Sequence, residues 1–467
     1  MIKLQKINRF VASRTARLIV LGLFAAQAVL LAFTMHVGTP PDENNHIQFT
    51  QYYAENSISP FFSHQTPTFN LGDKTREVDY MYAYLTSLLY RVSPLSSHAN
   101  VIMLRLFTVA VAVLTMVLFA RLFKKLGVGD GAITVGLLAL TNLPMVLMLS
   151  SAVNNDVFVW LGTALGSLLV VRLWQKPTLT TFLWTASVTA IGGLFKRDLF
   201  VVGALFAVLA IVIVVRQRKA FFASVTQRPH WQLIVAGIVF LIGIGLFAER
   251  VGVNLVEYGS VTPSCNIVQG EQACSVFWGN QRDIDLATKD PSVFYRWVGN
   301  AHYDIHLMSP ALFVVRWAGD SFYNIVDIQT QGWHHVVQPS LVVVSFLGAV
   351  FVAITALAIW FDIKHRKERF AKARLVLMAI ALIYIVAQLG VNYLTYRQDH
   401  IYGIALNGRY VLPSVFIMTL LGTFAASQFL RKYPALRLLA GVVVVATVIF
   451  GSGILLMFSN PQLVTGK

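Results

Sequence analysis

The run LIVLGLFAAQAVLLAFTM, Leu18–Met35, holds eighteen residues without a charge. A helix rises about 1.5 Å per residue, so this run approaches the roughly 20 residues that cross a bilayer's hydrocarbon. Lys3, Lys6, Arg9, Arg14 and Arg17 precede it. A secretory leader has the same outline, but the HVGTPPD that follows lacks a small-x-small cleavage site, so the run reads as a retained first span. Working outward, the same window finds ten more runs, near 101–120, 131–149, 153–171, 178–195, 199–215, 231–249, 340–361, 375–394, 411–430 and 436–457. The pair 178–195 and 199–215 is interrupted by Lys196, Arg197 and Asp198.

Composition agrees. Charged residues make up 12% of the chain, about half of what a soluble surface needs, and mean hydropathy is +0.65. The expected fold is an all-α polytopic membrane protein of about eleven transmembrane helices, one domain over 1–467. A net charge of +16 raises nucleic acid as a partner. Its distribution excludes that reading. Most basic residues fall in alternate connections, around Lys124, Arg172, Arg216, Lys364–Arg374 and Arg431, where Asp130, Asp362 and Glu368 are the only acids. The positive-inside rule makes these connections cytoplasmic, facing anionic membrane lipids, with the N-terminus inside and the C-terminus outside.

Both long connections, 36–100 and 250–339, then lie outside. In the first, HIQFTQYYAENSI and YMYAYLTSLLYRV carry apolar and aromatic residues at helical spacing, as helices lying along the outer surface do. The second holds the only cysteines, Cys265 and Cys274, nine apart with a glycine between. Outside the membrane they can close a disulfide-linked hairpin; two buried free thiols are the alternative.

Acids and bases gather at the outer span ends. In TPPDENNHIQF, Thr39–Phe49, Thr39 can cap a helix with Asp42 in its first turn, as in a capping box. That accounts for Asp42 but not for Glu43 beside it. His46 shares a helical face with Asp42. In SSAVNNDVF, Asp156 opens the fourth run, with Asn154 or Asn155 as its cap, and an acid at that depth is functional by default. Arg105, Lys196, Arg197 and Arg409 are cations at the same face. Each could simply pair with a nearby acid; together they suit an anion such as a lipid phosphate. His334 and His335, WGNQRDID (278–285) and YRQDHIYG (396–403) are polar outer segments able to touch a sugar or to stay solvated. No nucleotide-binding glycine loop, zinc-ligand spacing or Ser-His-Asp pattern is present.

These residues resemble a family. PPDENNHIQFTQYYAENSISP resembles the first outer-loop motif of GT-C superfamily membrane glycosyltransferases, SSAVNNDVFVWLG the second acidic motif, and NGRYVLPS a Gly-Arg-Tyr motif of a bacterial branch. Their order fits most of the chain; 250–339 and the last run carry little of it. The resemblance implies transfer of a sugar from a polyprenyl-phosphate carrier to a glycan, glycolipid or protein acceptor outside a bacterial inner membrane, usually with inversion. Carried over by motif, Asp42 is the base, Glu43 its partner and Asp156 the second acid. His46, Arg105, Lys196, Arg197, Arg409 and Tyr410 are the expected substrate contacts. Asp156 can orient Asp42, bind acceptor hydroxyls or hold a divalent metal, the one cofactor the pattern leaves open. A transporter or flippase of lipid-linked sugars, and a ligase using diphosphate-linked glycan, stay open as other readings.

Overall fold

In the computed structural model, the described residues are 2–441 apart from 39, 41, 57–66, 70, 94–95, 225–229, 288–306, 327, 330–334, 338–340, 401, 403–407, 434 and 437–440. The chain is an integral membrane protein. Among the described residues, eight helices are long and apolar enough to cross a bilayer, nine if one bent pair counts as a span. A short amphipathic helix α1 (Ile2–Val11) leads into the first span, α2 (Arg14–Thr34), whose start Ser13 caps by accepting from the Ala16 N–H at 3.1 Å. Next come α3 (Glu43–Asn56) and α4 (Met81–Val92), then the long span α5 (Ser97–Lys125). The pair α6 (Asp130–Thr141) and α7 (Pro144–Ser150) bends by 75°.

The run at 131–149 is therefore not one straight helix. Pro144 takes the first position of α7, where its missing N–H is harmless, and Leu143 before it is held extended, which stops α6. The spans α8 (Asp156–Gln175) and α10 (Asp198–Arg216) flank α9 (Leu179–Phe195), an apolar helix of 17 residues. After a short α11 (Arg218–Ala223), α12 (His230–Phe247) continues through a π-helical turn, Ala248–Gly252, into α13 (Val253–Tyr258). Small helices α14 (Cys265–Gln269), α15 (Glu271–Cys274) and α16 (Trp278–Ala287) follow, then α17 (Pro310–Val326). Three spans close the described chain: α18 (Leu341–Lys364), α19 (Ala371–Asp399) and α20 (Leu412–Phe429). Of the last run, 436–457, all but Leu436 and Gly441 lies outside the described residues, as do Thr39 and His334. Among the described residues, one two-stranded antiparallel pairing, β1 (Ile328–Gln329) with β2 (His335–Val337), accompanies the helices.

The α8 and α20 windows are 78% buried within the protein, whereas those of α12 and α18 are 11% and 17%. α8 and α20 thus form the centre, and α12 and α18 turn their apolar surface to lipid. Lipid tails are as apolar as leucine, so contact between spans rests on close packing. Gly162 and Gly166 give α8 such a face: a Cβ on Gly166 would lie 2.2 Å from the Phe206 ring of α10.

One end of the bundle gathers the C-termini of α2, α7 and α9 with the N-termini of α5, α8, α10 and α20. The opposite end is basic. There Asp130 accepts from Arg17 at 2.6 Å and Lys124 at 3.2 Å, tying α2, α5 and α6, and Arg374 pairs with Asp362 at 2.6 Å. The two segments between spans form structured caps at the first end. α3 and α4 pack against each other and against Leu194 and Val251 through Phe49, Tyr53, Val78 and Tyr80. Arg91 donates to the Tyr53 and Ala54 carbonyls at 2.6 and 2.9 Å, closing the C-terminal end of α3. In the second segment Cys265 and Cys274 are joined by a disulfide that pins α14 to α15, and the Trp278 N–H donates to the Phe69 carbonyl at 2.9 Å.

Candidate active site

Asp42 and Glu43, adjacent in sequence, face different surroundings. Helix α3 begins at Glu43, so Asp42 precedes the helix instead of sitting in its first turn; its carbonyl accepts the His46 N–H at 3.0 Å. Its φ is +62°, left-handed backbone that Asp, Asn and Gly tolerate best. The twist sends the Asp42 carboxylate outward, with 46% of the side chain exposed.

Glu43 is fully buried. Its Oε1 accepts from Arg105 Nε at 2.8 Å and the Val153 N–H at 2.9 Å; its Oε2 accepts from Arg105 Nη2 at 2.7 Å and the Gly38 N–H at 2.8 Å. Arg105 also donates to the carbonyls of Ala32, Met35 and His36 at 3.0, 2.7 and 3.3 Å. All five guanidinium N–H groups are thus engaged inside the protein. Arg105, expected among the ligand-facing cations, is instead a brace joining α2, α3, α5 and the entry to α8. Its acid partner was the missing information.

The other groups converge. Arg409 lies in a 3-10 turn, Gly408–Val411, that leads into α20. Gly408 must lack a side chain, because a Cβ would lie 2.2 Å from the Ser321 carbonyl of α17, and that close seat aims Arg409 inward. Arg409 Nη2 pairs with Asp42 and donates to the Tyr410 hydroxyl at 3.1 Å, while Nε stands 3.7 Å from Asp156 Oδ2. Asp156 is the first residue of α8; its N–H donates to Asn154 Oδ1 at 2.6 Å, so Asn154 supplies the local cap. Asp156 Oδ1 pairs with Lys196, which closes α9 and sits 5.1 Å above the centre of the Tyr410 ring. Asp42, Arg409, Asp156 and Lys196 therefore form one chain of alternating charge, drawn from four elements and floored by Tyr410.

His46, one turn beyond Asp42, stacks edge-on against Tyr82 at 5.4 Å. Burial, together with the positive charges of Lys196 and Arg409, outweighs Asp42 and holds the imidazole down to about 4, so it is neutral at pH 7. Partial burial pushes the Asp42 carboxyl up, but Arg409, His46 and Lys196 more than offset it and hold the group at about 2. Both carboxylates are matched by cations, and among the described residues no three His, Cys, Asp or Glu side chains converge as metal ligands would.

Arg197 stands outside this chain of charges. Its side chain is 56% exposed and its Nη2 lies 3.9 Å from Glu77 Oε1. Glu77 also accepts from Lys74 at 2.7 Å and shares a hydrogen bond with Asp79. Sequence reasoning passed over Glu77 and Asp79; the only cue was two acids spaced by one residue in KTREVDY. Asp198 Oδ1 accepts from Gln388 Nε2 of α19 at 3.1 Å. Lys196, Arg197 and Asp198, three consecutive residues, thus reach α8, the first segment and α19 respectively.

No family model matches the chain, and no curated protein matches it. Among solved structures, the oligosaccharyltransferase of Archaeoglobus fulgidus in its apo form is similar at a TM-score of 0.45 and 11% identity, over 92% of this chain and 52% of that one. The chain thus spans about half the length of the structure it matches.

Proposed function

We propose that the chain is a membrane glycosyltransferase of the GT-C type, transferring a sugar from a polyprenyl-phosphate carrier to an acceptor hydroxyl outside the membrane. One observation carries this reading: a solvent-reachable carboxylate, Asp42, pairs directly with a fixed cation, Arg409, with a second, Lys196, in electrostatic reach, at the end of a span bundle. Sugar transfer needs that pairing. The acceptor hydroxyl must lose its proton as its oxygen bonds to the anomeric carbon, and a carboxylate in hydrogen-bond reach takes it. The bond from that carbon to the phosphate oxygen breaks, and the phosphate keeps the electron pair. Being a weak base, it needs no strong acid, only cations to hold its growing charge. Attack opposite the departing phosphate inverts the anomeric centre.

Asp156 then serves as the anchor that fixes Lys196 and Arg409, and Glu43 with Arg105 sets the angle at which α3 presents Asp42. An apolar cleft of about 470 Å³ between α9, α10 and α12, lined by Phe182, Phe200, Phe240 and Phe247, suits a prenyl chain. It reaches Phe200, one turn from Arg197. The charge asymmetry of the two ends supports an outward-facing site in a bacterial inner membrane.

The test is protein in sealed proteoliposomes given polyprenyl-phosphate sugars and assayed for free polyprenyl phosphate. Release that depends on acceptor and on Asp42 is expected. Movement of intact donor across the bilayer without release would make the protein a transporter instead.

A further inference from the structure

The four groups of the site balance one another: two carboxylates, Asp42 and Asp156, against two cations, Arg409 and Lys196. An anion entering such a set finds no net positive charge. To gain a strong partner it must displace one of the carboxylates.

The two differ in how firmly they are held. Asp156 is 3% exposed at its side chain, anchored through its backbone to Asn154, and faces both cations. Asp42 is 46% exposed, rides on a left-handed residue at the edge of α3, and meets Arg409 through one nitrogen, Nη2. Turning Asp42 away leaves its carboxylate in water, whereas turning Asp156 away would strand a charge in the protein.

We infer that the phosphate of the lipid-linked donor binds by ion-pair exchange, replacing the Asp42 carboxylate on Arg409 and so releasing Asp42 toward the acceptor hydroxyl. The inference rests on the donor reading above, and it adds an order of events. Without donor, Arg409 keeps Asp42 a weak base, in keeping with a carboxyl held near 2. Donor arrival removes that hold, so the base becomes competent once there is a sugar to transfer. Besides Arg409, the groups facing Asp42 are His46, which is neutral, and Lys196, which stays paired with Asp156.

The experiment measures binding of undecaprenyl phosphate to the full-length protein in nanodiscs. The variants are Asp42→Asn, Arg409→Gln, the double variant and Lys196→Gln, with undecaprenol as the control lacking phosphate. Asn accepts left-handed backbone at least as well as Asp, so Asp42→Asn keeps the fold. The net pull of Arg409, His46 and Lys196 against burial takes Asp42 from 3.8 to about 2, about sixtyfold; the shares of His46 and Lys196 and the screening of a half-exposed group leave on the order of tenfold for the Arg409 pair. Asp42→Asn is expected to bind undecaprenyl phosphate about tenfold tighter, to lose that gain when Arg409→Gln is added, and to leave undecaprenol unchanged. Unchanged or weaker binding by Asp42→Asn, with binding lost in Arg409→Gln or Lys196→Gln, overturns the exchange and leaves the donor reading standing. Full binding in both cation variants removes the donor reading and the exchange with it. Where Arg409→Gln fails to fold, Asp42→Asn against the unaltered protein, judged with Lys196→Gln, decides between the same outcomes.

Discussion

Replacing Glu43 by Gln separates the two adjacent acids. The Gln oxygen can still accept from Arg105 Nε and the Val153 N–H, but the new amide N–H₂ faces the Gly38 N–H and Arg105 Nη2, donor against donor. Two buried donors are orphaned at about 1–3 kcal/mol each, and Arg105 keeps an uncompensated charge at 2% exposure. Breaking a buried pair from one side costs about 3–5 kcal/mol, in line with that sum. In a chain this long, a loss of that size lowers the melting temperature by on the order of 5–10 °C. The assay is thermal unfolding in detergent at a fixed scan rate, for Glu43→Gln, Arg105→Met and the double variant Glu43→Leu/Arg105→Met. The double variant is expected to lose clearly less than the sum of the singles, because no buried charge is left alone. A Glu43→Gln protein that melts like the unaltered one yet no longer transfers sugar would falsify the brace and make Glu43 the catalytic base.

Asp42→Asn is expected to lower transfer by about 10²–10⁴-fold while melting within a degree or so of the unaltered protein, as loss of a general base does; full transfer ends its role. Asp79 and Glu77 give a pH signature. Burial and the neighbouring Glu77 raise Asp79 to about 6, while Lys74 and Arg197 overcome burial to hold Glu77 at about 2. The raised group stabilises below its unfolded value near 3.8 and loses that contribution as pH rises through 6; the lowered one stabilises above 4.5 and loses it toward pH 2. Hydrogen exchange of residues 67–80 should therefore show best protection near pH 4–5 and weaken by pH 7, and Asp79→Asn should flatten the upper limb; an unaltered limb in that variant refutes the assignment. Changing Cys265 and Cys274 to Ser should cost on the order of 2–3 kcal/mol by loop-closure entropy and leave transfer intact, which reductant-dependent melting checks; lost transfer would bring the hairpin into the site.

Eight or nine of the eleven expected spans stand among the described residues, and they were legible because crossing a bilayer demands a long apolar run, a signal local in sequence. The break at Asn142–Leu143 went unread: Pro144 restricts the residue before it, but the unbroken hydropathy of 131–149 hid the bend. Asp42, Asp156, Lys196 and Arg409 could be nominated because each is a charge at a span end, where charges are costly to keep. Their pairing could not be read. Whether Arg105 faced a ligand or Glu43 depends on the rotation of α5 against α3, set by packing between elements distant in sequence. The different fates of Asp42 and Glu43 turn on a single left-handed residue, for which Asp gives only a weak cue.

Assembly in the membrane meets the bent pair α6–α7 differently from the straight spans. To the machinery that inserts nascent chains, residues 131–149 read as one apolar segment. In the folded protein, α6 covers about 18 Å and α7 about 10 Å, neither enough to cross alone. Every residue of α7 is buried against protein. The polar backbone freed at residues 142–143 is tolerable in hydrocarbon only once neighbouring helices shield it. In the folded protein α7 packs on α2, α5, α8 and α17 and leads directly to Asp156, so the bend before Pro144 is what turns the chain from α6 into the site.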